Sequence, residues 1–169
     1  MLAYLIIYVP KFDYIQGRIF SFFNRETGTH NFQSDKAIES ITSGGFFGKG
    51  IGEGVLKNRV PEAHTDYIIS VISEEFGVVA IMLILLLFLI LIYMVFKKIS
   101  FETNDKVKLI LIGSISLILM QATIHIGVNI RLFPTTGMTL PFLSYGGSSI
   151  ISTSILAGII LNLTKRKIT

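Results

Sequence analysis

The sequence predicts an all-α polytopic integral membrane protein, with three full transmembrane helices, the end of a fourth and a large structured extracytoplasmic loop. Three observations predict this. Of 169 residues, 51% are hydrophobic and only 15% charged, whereas soluble chains carry about 25% charged residues. Val78 to Phe96 is a run of 19 residues with no charge, about 28 Å long at the rise of a helix and close to the ~30 Å of a bilayer core. Basic residues also gather on alternate connections, as they do in chains that cross a membrane. The absence of cysteine excludes a disulfide scaffold, a thiolate zinc site and a cysteine nucleophile.

A single membrane domain is expected over residues 1–169: a partial span at 1–9, an outer loop at 10–66, and spans at 67–96, 109–128 and 146–163. Met1 to Val9 is apolar but about half the length a crossing needs. It has neither the basic start nor the small-residue cleavage site of a signal peptide, so it reads as the tail of a helix whose beginning is absent. Leu109 to Val128 is a second span, polar only in its second half. Ser149 to Leu163 becomes a third when Tyr145 to Ser148 extend it.

Lys97, Lys98, Lys106 and Lys108 separate the first two full spans, and Lys165, Arg166 and Lys167 follow the last. The opposite connection, Asn129 to Ser148, holds only Arg131. The lysine-rich side is therefore expected in the cytoplasm, together with the C-terminus. The segment Pro10 to Asp66 then lies outside, in balance with seven basic and seven acidic residues. The formal charge of +4 is thus a topology signal and implies no nucleic acid.

The outer segment of 57 residues is too long for a plain connector. Lys11 to Phe23 interleaves aromatic and basic residues, a mixture that rides the membrane interface or meets lipid head groups. Arg25 to Asn31 reads as an exposed turn. Ser34 is expected to cap a short helix with Asp35 in its first turn and Ala37, Ile38 and Ile41 on its apolar face. In SGGFFGKGIGEGV (residues 43–55), alternate glycines resemble a phosphate-cradling loop, but no strand precedes them and no Gly-Lys-Ser/Thr ending is present. A tight backbone packed against neighbouring helices is the plainer reading; Lys49 and Lys57 facing a pyrophosphate is the functional one.

Arg59 to Asp66 (RVPEAHTD) is the densest cluster of ionisable groups. Pro61 suits the first turn of a helix that would run on into the span ending near Phe96. On such a helix Glu62 and Asp66 share a face, with Ser70 and Glu74 continuing the stripe. Two carboxylates in one turn raise each other's proton affinity, while Arg59 or His64 lowers it, a tension suited to a general base. Helix-dipole complementation by Glu62, with Asp66 marking the water boundary, is the alternative. Glu74 and Glu75 stand just before the uncharged run, so either the helix protrudes or they face protein or a polar chamber.

In the second span Gln121, His125 and Asn129 recur every four residues. Interhelical hydrogen bonding is the common use of such a stripe in membranes, and ligand contact is the other. Leu132 to Ser149 (LFPTTGMTLPFLSYGGSS) carries Pro134 and Pro141, which break a helix. Irregular backbone at membrane depth must be satisfied by protein or water. Ser144, Tyr145, Gly146, Gly147, Ser148 and Ser149 lead into the last helix, whose N-terminus would attract an anion or whose small residues would simply pack.

Together SGGFFGKGIGEGV, PEAHTDYIISVISEEFG (residues 61–77) and GMTLPFLSYGGSS (residues 137–149) resemble the SEDS family (shape, elongation, division and sporulation) of peptidoglycan glycosyltransferases. The Gly-Glu-Gly-Val run, DKAIESI and IHIGVN are most similar to its cell-division branch. The family's fold has more spans, of which this chain corresponds to the last three and the end of a fourth. Thr136 stands where the family commonly has lysine, and Tyr67 where it usually has phenylalanine.

The resemblance implies a lipid II polymerase of septal cell-wall synthesis in the bacterial inner membrane, with the active-site loop extracytoplasmic. It makes Asp66 the catalytic carboxylate. Glu62, His64 and Thr65 would be its neighbours, and Arg59 with Ser144 to Ser149 would hold the pyrophosphate of an undecaprenyl-linked substrate. It implies a class B penicillin-binding transpeptidase and other divisome proteins as partners, besides membrane lipid. No cofactor is implied; the chemistry admits a divalent cation, but no ligand set here demands one. Two other readings of the same residues are a flippase for the lipid-linked precursor, whose polar path should also show charge on the inner side, and a non-catalytic divisome scaffold.

Overall fold

The computed structural model of the chain describes residues 17, 22, 29–60 and 62–165. From Thr29 onward the described residues form five helices: α1 (Thr29–Gly44), α2 (Leu56–Arg59), α3 (Ile68–Phe101), α4 (Asp105–Asn129) and α5 (Gly147–Thr164). The apolar segment Met1 to Val9, nearly all of Lys11 to Phe23, and Arg166 and Lys167 lie outside the described residues.

Three of these helices, α3, α4 and α5, are long and apolar enough to cross a membrane. They hold the three expected spans. At the lysine-rich end Val95, Leu111, Ile115, Ile118 and Ile160 form one buried cluster. One side of the middle of α3 is left bare, with Met82, Leu83, Leu86, Leu87 and Leu89 all more than half exposed. Asn104 caps α4 by accepting from the Lys106 amide at 3.0 Å, and Lys98 pairs with Glu102 at 3.1 Å. The Lys98 hydrogen bond holds the Glu102 carboxyl below its ordinary range.

Two expectations about the outer segment are corrected. Thr29 to Asn31 belong to α1 and not to an exposed turn, and Ser34 lies inside that helix instead of capping it. Packing explains both. Ala37 is fully buried in a cluster with Leu56, Val60, Ala63, Tyr67, Val71 and Val128, which fixes α1 across the ends of α3 and α4. The Ser34 hydroxyl meets the Tyr67 hydroxyl at 3.4 Å.

Pro61 lies outside the described residues, and no continuous helix runs from Glu62 into the span either. Residues 62–67 form turns, in which the Asp66 amide donates to the Glu62 carbonyl at 3.0 Å. The regular helix begins at Ile68 and breaks again at Gly77, whose φ of 78° and ψ of −176° are not helical. Only glycine adopts that conformation without strain. The break also admits another chain segment, because a Cβ on Gly77 would lie 2.2 Å from the Phe46 carbonyl oxygen. The amides of Val78 and Val79, freed by the break, donate to the Gly45 and Phe46 carbonyls at 3.0 and 3.4 Å.

Beyond the break α3 runs from residue 78 to 101, nearly the same length as the 25 residues of α4, about 36 Å for each at helical rise. Gly77 and Asn129 therefore stand at about the same level, at the end of the spans remote from the lysines.

Residues 130–146 are irregular, as the two prolines require. The Leu132 and Phe133 amides both donate to the Gly127 carbonyl at 2.7 and 3.3 Å. The Phe133 ring occupies the place of a Gly127 side chain, 2.2 Å from where its Cβ would be. Arg131 forms an ion pair with Asp35 of α1. Pro141, Phe142 and Leu143 face Leu83, Ile84 and Leu87 across an apolar groove of about 320 Å³. That contact lies six to ten residues past Gly77, so the connection dips about 9–15 Å below the break.

Candidate functional site

Asp66 sits where three pieces of chain converge. Its own turn supplies the first, the end of α4 the second, and the proline-bearing connection the third. Asn129 is fully buried and joins the first two. Its Nδ2 donates to the Asp66 carbonyl at 2.9 Å and to the His125 carbonyl at 2.9 Å. Its Oδ1 accepts from the Ser70 hydroxyl at 2.7 Å and the Ser70 amide at 3.3 Å. The backbone of Asp66 is thereby tied to the last turn of α4.

Ser144 joins the third piece. Its hydroxyl donates to the Thr65 carbonyl at 2.8 Å and accepts from the Leu140 amide at 2.8 Å, while the Tyr145 amide donates to the His64 carbonyl at 3.1 Å. These bonds place Gly137 opposite the acid: a Cβ there would be 3.7 Å from Asp66 Oδ2. His125, fully buried, brings Nε2 to 3.4 Å from the Thr65 carbonyl. The carbonyls of His64, Thr65 and Asp66 are all engaged, so this turn is held through its main chain. His64 and Glu62 are exposed, Thr65 and Asp66 half-buried.

Gln121 works one turn lower. Its Nε2 donates to the Thr139 carbonyl at 2.9 Å and the Ser149 hydroxyl at 2.9 Å, and Thr139 donates to Ser149 at 2.7 Å. The α4 stripe thus serves hydrogen bonding to α3 and the connections. Gly146, Gly147 and Ser148 form the start of α5, with no side-chain cap and open space beside Gly147. Ser149 belongs to the stretch expected to hold pyrophosphate and Ser70 to the expected stripe, whereas Thr139 and Gly137 complete the arrangement without standing among the expected site residues. The G-x-x-x-P and small-residue context of Gly137 to Ser149 was their only signal.

Lys49 and Arg59 lie elsewhere. They line a polar cavity of about 170 Å³ with Lys36, Glu39, Ser40 and Glu74, and Asp66 is not on its wall. The stripe from Glu62 to Glu74 also divides: Ser70 turns to Asn129, and Glu74 turns to the glycine loop. Glu74, 2% exposed, accepts from Lys49 Nζ at 2.9 Å through Oε1. Its Oε2 accepts the Val55 and Leu56 amides at 3.0 and 2.9 Å. It therefore faces protein, one of the two places open to a carboxylate at this depth. The loop itself is packed hard on α3, since a Cβ on Gly44 or Gly48 would fall 2.0 or 2.1 Å from the Ser73 or Glu75 carbonyl oxygen. Among the described residues no group of three or more acidic or histidine side chains could hold a metal ion.

The family model for cell cycle proteins of the FtsW, RodA and SpoVE type matches residues 1–168. A probable peptidoglycan glycosyltransferase FtsW from Enterococcus hirae is 40% identical over 138 residues, 81% of this chain and 35% of that relative. Another of the same description, from Geobacter metallireducens, is 36% identical over 168 residues, 98% of this chain and 45% of the relative. A solved structure described as "Structural coordination of polymerization and crosslinking by a peptidoglycan synthase complex" superposes with a TM-score of 0.69 at 28% identity, covering 93% of this chain and 42% of that one. The chain thus spans less than half the length of these relatives, and with the family model matched over residues 1–168 it belongs to the FtsW/RodA/SpoVE family.

Proposed function

We propose that this chain carries the acceptor-activating part of a peptidoglycan glycosyltransferase that polymerises lipid II during cell division. The observation that carries the reading is the Asp66 carboxylate, half-buried at the level where the spans end, on a turn whose backbone is fixed from two sides while the acid faces Gly137. The Enterococcus hirae relative, 40% identical over 138 residues, is described as a probable peptidoglycan glycosyltransferase FtsW. Asp66 takes the proton from a sugar hydroxyl of the acceptor. That oxygen bonds to the anomeric carbon of the donor chain with inversion, and the bond to polyprenyl pyrophosphate breaks, the leaving group carrying away its electron pair.

In this reading the Asp66 end of the spans is extracytoplasmic and the C-terminus cytoplasmic. Glu62, His64 and Thr65 border the acceptor. Ser144 to Ser148 and the α5 N-terminus lie where the pyrophosphate would gather, and Gln121, His125 and Asn129 hold the framework. Lys49 and Arg59 would act on the substrate from the neighbouring cavity. A class B penicillin-binding transpeptidase is the proposed partner, in keeping with the synthase complex that the fold resembles.

The test uses a chimera in which this chain replaces the matching segment of the Enterococcus hirae relative. Asp66→Asn is expected to lower polymerisation of fluorescent lipid II by about 10²–10⁴-fold, the range for loss of a general base. Polymerisation at the unsubstituted rate would remove Asp66 from the chemistry. Loss of lipid II translocation instead of polymerisation would favour a flippase.

A further inference from the structure

We propose that the glycine loop between α1 and α2 is a bilayer anchor, with Phe46, Phe47 and Ile51 inserted into the lipid leaflet at the Gly77 end of the spans. These side chains are 75%, 86% and 80% exposed, an unusual fate for large apolar groups on a loop flanked by glycines. Isolated exposed apolar residues are ordinary; a cluster at one tip marks a surface that something apolar covers.

Two independent observations identify lipid as the cover. The first is depth. The loop hangs from the start of the uncharged run, the Gly45 and Phe46 carbonyls receiving the Val78 and Val79 amides. Its tip therefore lies beside the first turn of the helix that must cross the hydrocarbon, next to exposed Phe76 and Val79. The second is the state of its backbone. The Gly48 amide donates to Gly44 at 2.8 Å, the Lys49 amide to the Glu74 carbonyl at 2.9 Å and the Gly50 amide to the Glu75 carbonyl at 3.0 Å. The Gly50 carbonyl receives the Glu53 amide at 3.2 Å. The amides of Gly48, Lys49 and Gly50 are thus satisfied by protein, as irregular backbone beside hydrocarbon requires. Lys49, the charge between Phe47 and Ile51, is drawn back to buried Glu74, which leaves the apolar side chains as the outward face. Such an aromatic and aliphatic tip beside a backed-off lysine has the chemistry of an interfacial anchor.

The chain contains no tryptophan, so each single substitution carries its own reporter. Phe47→Trp, Ile51→Trp and Glu53→Trp are made in the whole chain and reconstituted in phosphatidylcholine nanodiscs. The first two are expected to emit at shorter wavelength than an indole in water and to be quenched at least about twofold by lipids brominated high on their acyl chains, as burial at the headgroup–acyl boundary requires. Glu53→Trp, past the tip, should respond to aqueous acrylamide instead. Water-like emission at 47 and 51 with no bromine quenching overturns the anchor. So does an indole shielded from both quenchers, which gives the patch to a protein contact, and so does disagreement between 47 and 51. None of these readouts depends on catalytic activity.

Discussion

The Glu74 carboxylate is bound on both oxygens, by Lys49 at 2.9 Å on one and by the amides of Val55 and Leu56 on the other. A side chain of the longest span thereby caps the short helix α2, which leads through Val60 and Ala63 into the Asp66 turn. Removing the acid leaves the Val55 and Leu56 amides and a lysine without their acceptor. Glu74→Ala is expected to cost about 2–3 kcal/mol, below the full value for a buried pair because Lys49 is partly exposed. Glu74→Gln, which keeps an acceptor for the amides and loses only the charge, should cost about half as much. Thermal unfolding in detergent ranks the two; equal midpoints would show that the amide contacts contribute nothing.

Asn129 and Ser144 hold the same turn from opposite sides. Asn129→Ala gives up bonds to Ser70, Asp66 and His125 and should lower stability by about 2–3 kcal/mol, because several buried groups lose partners together. Ser144→Ala gives up the Thr65 and Leu140 contacts and should cost about 1–2 kcal/mol. Both are expected to lower polymerisation in the chimera more than they lower the amount of folded protein recovered. Equal losses of activity and of folded protein would reduce both residues to general scaffolding.

Gly77→Ala should be strongly damaging for a single methyl group. The backbone conformation is strained for any other residue by about 1–3 kcal/mol, and the new Cβ would stand 2.2 Å from the Phe46 carbonyl oxygen. Gly113→Ala is the control, since nothing lies within 4 Å of a Cβ there and alanine favours a helix by up to about 1 kcal/mol. Folded yield from membranes, measured by size-exclusion fluorescence, should fall sharply for the first and hold or rise for the second.

The spans were legible because hydrocarbon imposes length and composition that local sequence must meet. Residue types alone offered several acids before the uncharged run, and it was the resemblance of the motif around it that singled out Asp66. What the sequence hid was non-local. Gly77 reads as one more small residue before an uncharged run, and only the arrival of the Phe46 carbonyl explains why the helix breaks there. Glu74 looked like a continuation of the Glu62–Asp66 stripe because that stripe assumed unbroken helical phase from Pro61. The turns at 62–67 abolish the phase, and the carboxylate points at the glycine loop. Lys49 and Arg59 carried the right charge for a phosphate, but which cavity they line depends on where α1 packs, and α1 is placed by the buried contacts of Ala37.

The joints that hold the Asp66 turn are made to the carbonyls of His64, Thr65 and Asp66, whereas Asn129 and Ser144 supply side chains. The burden of sequence fidelity is therefore unequal. Residues at 62, 64 and 65 can drift under whatever selection the acceptor imposes while the architecture stays in register, because every amino acid brings the same carbonyl. Their two distant holders have no such latitude, and a saturation library should find tolerance and intolerance divided along that line.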